Sequence, residues 1–95
     1  MYINVRRYET HPDKTDQIIG KIKKGFLPIL KAQPGFVSYE IFVAGKGVIV
    51  TMSKFQDESG AKASREKAAE WVQANVKDDF PNRPIILAGE IKLST

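Results

Sequence analysis

The chain has 95 residues, 42% of them hydrophobic and 27% charged, with a formal net charge of +4. That length predicts one domain spanning 1–95 with a single modest core, and no apolar run approaches the ~20 residues that cross a bilayer. Zero cysteines exclude disulfides, thiolate metal sites and thiol catalysis, and His11 alone cannot build a histidine metal site, so no metal and no other cofactor is expected.

The segment Met1–Arg7 lacks the basic-then-apolar layout of a signal peptide, which predicts a cytoplasmic protein with no membrane partner. Tyr2 to Tyr8 alternate as a strand, with Ile3 and Val5 on one side and Tyr2, Asn4, Arg6 and Tyr8 on the other. His11-Pro12-Asp13 then marks a turn and a helix start. Between Thr15 and Leu30 the apolar residues Ile18, Ile19, Ile22, Phe26, Ile29 and Leu30 recur at helical spacing. Gly20, Gly25 and Pro28 are poor helix residues, and Pro28 should kink the last turn. Lys14, Lys21, Lys23, Lys24 and Lys31 lie along this helix without interleaved aromatics, so the excess charge reads as a solvated face.

Phe36 to Val43 is the second strand, with Val37, Tyr39, Ile41 and Val43 opposite Phe36, Ser38, Glu40 and Phe42. Ala44-Gly45-Lys46-Gly47 is a hairpin loop, and Val48 to Phe55 is the third strand. Asp57 and Glu58 cap a second helix that runs to about Lys77, with Ala61, Ala68, Ala69, Val72 and Val76 as its buried stripe. Ile85 to Leu93 completes the order strand, helix, strand, strand, helix, strand.

That order predicts an α+β fold, a ferredoxin-like βαββαβ sandwich with an antiparallel sheet. Two helices cover only one sheet face, and patterning favours the aliphatic one: Ile3, Val5, Tyr39, Ile41, Val48 and Val50. The opposite face, carrying Tyr2, Asn4, Arg6, Tyr8, Phe36, Ser38, Glu40, Phe42, Thr51, Ser53 and Glu90, then needs a cover. A second copy of the chain is the simplest one.

Gln33-Pro34-Gly35-Phe36 opening the second strand, Ser53-Lys54-Phe55-Gln56-Asp57 closing the third, and Ala68-Ala69-Glu70-Trp71-Val72 on the second helix carry a resemblance. Through them the chain resembles the antibiotic biosynthesis monooxygenase-like branch of the dimeric α+β barrel proteins. The resemblance spans nearly the whole chain, and its motifs identify a superfamily rather than a reaction. It implies a homodimer packed sheet to sheet, with one pocket per subunit between the inner sheet face and the helices. It makes the mixed polar face the pocket wall.

Cofactor-free oxygenation, one activity of such proteins, needs an apolar pocket that holds a phenol, helps it lose a proton and stabilises the anion. On that basis Asn4, Arg6 and Trp71 are the candidate catalytic residues. Tyr8, Phe36, Ser38, Tyr39, Glu40 and Thr51 are the candidate substrate contacts. The expected ligand is a small hydrophobic or aromatic, quinol-like compound, and the alternative is a non-catalytic ligand-binding or stress-associated dimer. Haem degradation would need a histidine after Trp71, and none follows. An RNA-recognition module of the same strand order would need stacking aromatics where Val48 and Val50 stand, so no nucleic-acid partner is expected.

Overall fold

The computed structural model describes residues 1–95. Strand β1 (Tyr2–Glu9) is followed by a 3-10 turn (Pro12–Lys14) and helix α1, then strands β2 (Phe36–Ala44) and β3 (Val48–Phe55). Helix α2 (Glu58–Asn75), a second 3-10 turn (Lys77–Asp79) and strand β4 (Ile85–Glu90) complete the chain. β1 pairs antiparallel with both β3 and β4, and β2 pairs antiparallel with β3, giving the order β2-β3-β1-β4. This is the ferredoxin-like α+β fold expected from the hydrophobic periods. No helix is long and apolar enough to cross a membrane.

Helix α1 is one rod of three parts: α-helical Thr15–Lys21, a π-helical turn Ile22–Phe26 and α-helical Leu27–Lys31. Its buried residues Ile18, Ile22, Phe26 and Leu30 are spaced strictly by four. On a 3.6-residue helix such a row drifts by about 40° per step, and the wider π turn takes up the drift so that all four face the sheet. Pro28 fits the same break. It has no N–H to give the ladder, and the residue before it, Leu27, donates its N–H five residues back to Ile22. The poor helix residues of this segment therefore change the winding rather than merely kinking the end. Helix α2 starts where the capping signal lies: Asp57 Oδ1 accepts from the Gly60 amide and the Ser59 hydroxyl, each at 2.9 Å.

In β1 and β3 the two faces are the reverse of what patterning favours, whereas Tyr39 and Ile41 of β2 lie on the helix side as expected. Tyr8, Ile49 and Phe55 point towards the helices and join Ile18, Ile22, Phe26, Leu30, Ala61 and Ala68 in the core. Asn4, Arg6, Thr51 and Ser53 share that face and are buried. Ile3, Val5, Val48 and Val50 alternate with these residues and lie on the open face instead. What the Asn4-Arg6-Tyr8 row offers is polar partners for α2: Asn4 bonds the Ala61 carbonyl, Ser64 and Arg65.

A bulge in β2 explains a second difference. The register with β3 shifts between Phe36 and Ser38, so Phe36 pairs with Phe55 while Tyr39 pairs with Ser53. The extra residue turns Phe36 to the helix side, where it meets Phe55 edge-on at 6.0 Å. Ser38, Glu40 and Phe42 stay on the open face, opposite to Tyr39 and Ile41. On α2 the buried stripe runs through Ala61, Ser64, Ala68 and Val76, and Ala69 is exposed. β4 ends at Glu90 rather than Leu93 because Glu90 pairs with Tyr2, the first residue of its partner β1.

Candidate active site

Between the sheet and the helices lies a cavity of about 490 Å³, counting all the open space up to and including its mouth. Its floor is the polar row of β1 with its cross-strand neighbours Thr51 and Ser53. Ile22, Phe26 and Leu30 of α1 form one wall. Ser64, Arg65, Ala68, Trp71 and Val72 of α2 form the other, and Val76, Phe80 and Tyr39 close the ends.

Asn4 is 3% exposed and fully engaged. Its Nδ2 donates to the Ala61 carbonyl at 3.0 Å and to Ser64 Oγ at 2.9 Å, while its Oδ1 accepts from Arg65 at 2.8 Å. A strand asparagine thus ties the centre of the sheet to α2, and it aims Arg65 at the pocket.

Arg6 is 7% exposed, and its Nε donates to the Tyr8 hydroxyl at 2.5 Å. Its guanidinium carbon stands 5.6 Å from the centre of the Tyr8 ring. No carboxylate forms an ion pair with Arg6 or Arg65; the chain's pairs are Arg7–Glu9, Lys14–Asp79, Lys21–Asp79 and Lys92–Glu90. Glu40 is on the opposite sheet face, so the Arg6–Glu40 pairing that a shared face suggests does not form. Tyr8 accepts from Arg6 and stacks on Phe80 at 4.6 Å, which leaves its own hydroxyl proton free for a ligand.

Burial pushes both phenols up: Tyr8 is raised by desolvation against the opposing pull of Arg6, and Tyr39 is raised by desolvation and by Tyr8 beside it. Both are neutral donors at neutral pH.

Trp71 closes the far side. Its indole packs on Phe26 at 5.7 Å and lies flat over Gly25, where a β-carbon would come within 2.9 Å of the ring. Gly25 sits inside the π turn, so the break in α1 and the placing of Trp71 are one feature. Beyond the indole, Lys21, Lys24 and Asn75 line a shallow outer groove that shares Trp71 with the inner cavity.

Of the residues singled out in the sequence, Asn4, Arg6, Tyr8, Tyr39, Thr51 and Trp71 converge on this cavity. Ser38 and Glu40 lie across the sheet from it, and Phe36 packs in the core without lining it. Sequence reasoning passed over Ser64, Arg65 and Phe80. Arg65 had a signal, since it interrupts the small-residue stripe from Ala61 to Ala68 where a solvent-facing lysine would be ordinary. No group of three His, Cys, Asp or Glu side chains is placed to hold a metal ion.

Fold and cavity together define a ferredoxin-like α+β protein with a ligand-sized pocket under its helices. The family model for antibiotic biosynthesis monooxygenase matches residues 1–75, and the chain belongs to that family. Among solved structures it is similar to NE2512, a protein of unknown function from Nitrosomonas europaea, at 20% identity and a TM-score of 0.82, covering 99% of this chain and 91% of that one. It is similar to the ActVA-Orf6 monooxygenase of Streptomyces coelicolor, solved with nanaomycin D, at 14% identity and a TM-score of 0.82, over 99% and 89% of the two chains. Rv0793 of Mycobacterium tuberculosis follows at 12% identity and a TM-score of 0.77, over 99% and 98%. At these identities the likeness is one of fold. No curated protein matches the sequence.

Proposed function

We propose that the protein is a homodimeric, cofactor-independent monooxygenase that oxidises a small aromatic or quinol-like compound in the cavity beneath its helices. The observation that carries this reading is a mostly apolar cavity that holds no acidic group: its charged groups are Arg6 and Arg65, and its other polar groups, the hydroxyls of Tyr8 and Tyr39 among them, are neutral. Such a set favours negative charge on a bound ring, the charge that an electron-rich aromatic carries once it has lost a proton and before it passes electrons to oxygen. Arg6 and Tyr8 are the groups assigned to the substrate oxygen. Trp71 holds the ring, and Asn4 acts as a positioning residue through Arg65. In the reaction one atom of O2 goes to a ring carbon and the other leaves as water with two hydrogens of the substrate, so that a ring methylene becomes a carbonyl and a quinol becomes a hydroxyquinone.

The dimer part of the reading rests on the open face. Ile3, Val5, Val48, Val50 and Met52 are only half-buried there, and Phe42, Ile85 and Leu87 are 47%, 56% and 65% exposed. Arg7, Glu40 and Lys54 stand among them on the same face, and an apolar patch flanked by charges of both signs suits a self-complementary cover.

The test is oxygen uptake with a panel of hydroquinones, naphthols and anthrones, with isotopic oxygen traced into product. Turnover lost in Trp71→Phe and Arg6→Gln variants that still fold supports the reading; no uptake with any panel member overturns it.

One observation favours a second reading, a non-catalytic ligand-binding dimer. No carboxylate, histidine or lysine lines the inner cavity, so it holds no group that removes a proton from a neutral phenol.

A further inference from the structure

The charge inside the cavity is unbalanced. Arg6 is almost completely buried, yet only its Nε has a hydrogen-bond partner, and that partner is a neutral phenol. Its two terminal nitrogens face the cavity, since no side-chain nitrogen or oxygen of the protein is both sealed from solvent and unpartnered. Arg65 brings a second guanidinium to the same space, held by Asn4 and with no acid of its own. A buried cation is ordinarily matched by a carboxylate, and here the cavity lining contains none. An anion that enters finds a guanidinium edge already desolvated, fixed by Tyr8 and open along its two terminal N–H groups. That edge matches the two oxygens of a carboxylate.

How the anion becomes charged also follows from the lining. With only raised tyrosines to titrate inside, the cavity supplies no base to take a proton from a guest, so the guest that best matches its unpaired charge is one that arrives ionised. An ordinary phenol, with a pKa of about 10, does not; a carboxylic acid, at about 4, does. Apart from the uncharged Asn4, Thr51, Ser53 and Ser64, the rest of the lining is apolar or aromatic and includes Phe26, Trp71 and Phe80.

We infer that the cavity is a binding site for a small aromatic carboxylate, its carboxylate on the terminal nitrogens of Arg6 and its ring against the aromatic walls. This rests on the reading of the cavity as a small-molecule site, and it narrows the class of compound to one that carries its charge from the start.

The experiment is calorimetric titration of the full-length protein at pH 7.5 with benzoate and 2-naphthoate against the matching amides, which keep the shape and lose the charge. Binding of the acids at least ten-fold tighter than the amides is expected. That preference should fall below about two-fold in Arg6→Gln, and it should weaken but persist in Arg65→Gln. Equal binding of acid and amide by the wild-type protein overturns the inference without recourse to any variant. So does a preference that survives in folded Arg6→Gln, or an anion preference seen for ionised 4-nitrophenol but not for either carboxylate.

Oxygen uptake by the same protein on the panel of hydroquinones, naphthols and anthrones keeps the two readings apart. Arg6-dependent carboxylate binding without oxygen uptake leaves this inference standing and removes the oxygenase. Uptake on neutral quinols with no carboxylate preference does the reverse.

Discussion

The two faces of this sheet are made by alternate residues of the same strands, and they have been given opposite tasks. Under the helices stand Asn4, Arg6, Tyr8, Thr51 and Ser53, a row that is polar yet buried. Across the sheet stand Ile3, Val5, Val48 and Val50, a row that is aliphatic yet only half-covered. Burial in this protein therefore does not follow hydrophobicity residue by residue. The helix-covered face is stabilised by the apolar residues of α1 and by Phe55 and Ile49, which leaves the centre of the sheet available for polar side chains that can be fully hydrogen-bonded. The open face is an apolar patch without a second layer, with Arg7, Glu40 and Lys54 set among its aliphatic residues.

The most severe way to test that contrast is to shorten neighbouring residues on β3. Ile49 has no exposed surface and points into the helix layer, so Ile49→Ala should cost about 3 kcal/mol whatever the protein concentration. Val50, one residue on and facing out, should cost well under half of that in a monomer when changed to alanine. If a second copy covers the open face, the Val50→Ala loss grows and becomes dependent on protein concentration in chemical unfolding. Equal, concentration-independent losses at both positions would erase the distinction between the faces.

Asn4 tests whether the buried polar row is structural. Replacing it by alanine removes three hydrogen bonds between β1 and α2 and leaves Ser64 and Arg65 without a partner on the sheet. The expected loss is about 2–3 kcal/mol, with a weaker ligand affinity because Arg65 is no longer aimed. A loss below about 0.5 kcal/mol would mean that the row is held by packing alone.

Arg6 should respond in the opposite direction. Its charge is buried without an anion, so Arg6→Met should leave the ligand-free protein as stable or up to about 1 kcal/mol more stable, while binding is lost. Thermal melting with and without ligand separates the two effects. A marked destabilisation of the free protein would show that the Tyr8 contact, and not the empty cavity, is what Arg6 serves.

How much of this could be read from the chain differs between levels. The element order was legible because 3.6- and 2-residue periods are local, and the Asp57 cap was legible because its chemistry is local too. Which strand face meets the helices was not. Alternation says only that Asn4 and Val5 part company, and choosing the greasier row assumes that hydrophobicity alone decides. The resemblance carried by Pro34-Gly35-Phe36 and Trp71 pointed to the other row, because the pocket wall it implies has to lie under the helices. Ser38 and Glu40 were misplaced by one unpaired residue, Val37. A bulge flips the strand before it, and nothing in Phe36-Val37-Ser38 announces one. The π turn was half legible: Gly25 and Pro28 mark a disturbed helix, but only the neighbouring Trp71 gives the disturbance a purpose.

Gly25 carries a smaller, optical prediction. A methyl group there would sit 2.9 Å from the indole, so Gly25→Ala must push Trp71 off α1 and widen the mouth of the cavity. Stability should change by under about 1 kcal/mol, because alanine's better helix propensity offsets part of the lost packing. Trp71 is the only tryptophan, so its emission reports the move directly and should shift to longer wavelength. An unchanged spectrum would mean that the helix yields instead of the ring.

The mildest effect expected is in acid, and it comes from outside the cavity. Asp57 is held below the usual carboxylate range chiefly by the Gly60 amide, and Glu90 chiefly by Lys92. In both cases the unfolded chain binds a proton more readily than the folded one. Their contribution is therefore complete above about pH 5.5, clear of the unfolded carboxyl values, and disappears as pH falls through the lowered folded values. The cavity lining has no carboxylate to add to this, so Asp57→Asn should flatten the acid limb of the stability curve, whereas Arg6→Met should leave its slope as it is. An acid slope that changes with Arg6 would place an ionised carboxylate near the pocket after all, and would undo the charge imbalance on which the contrast between the faces depends.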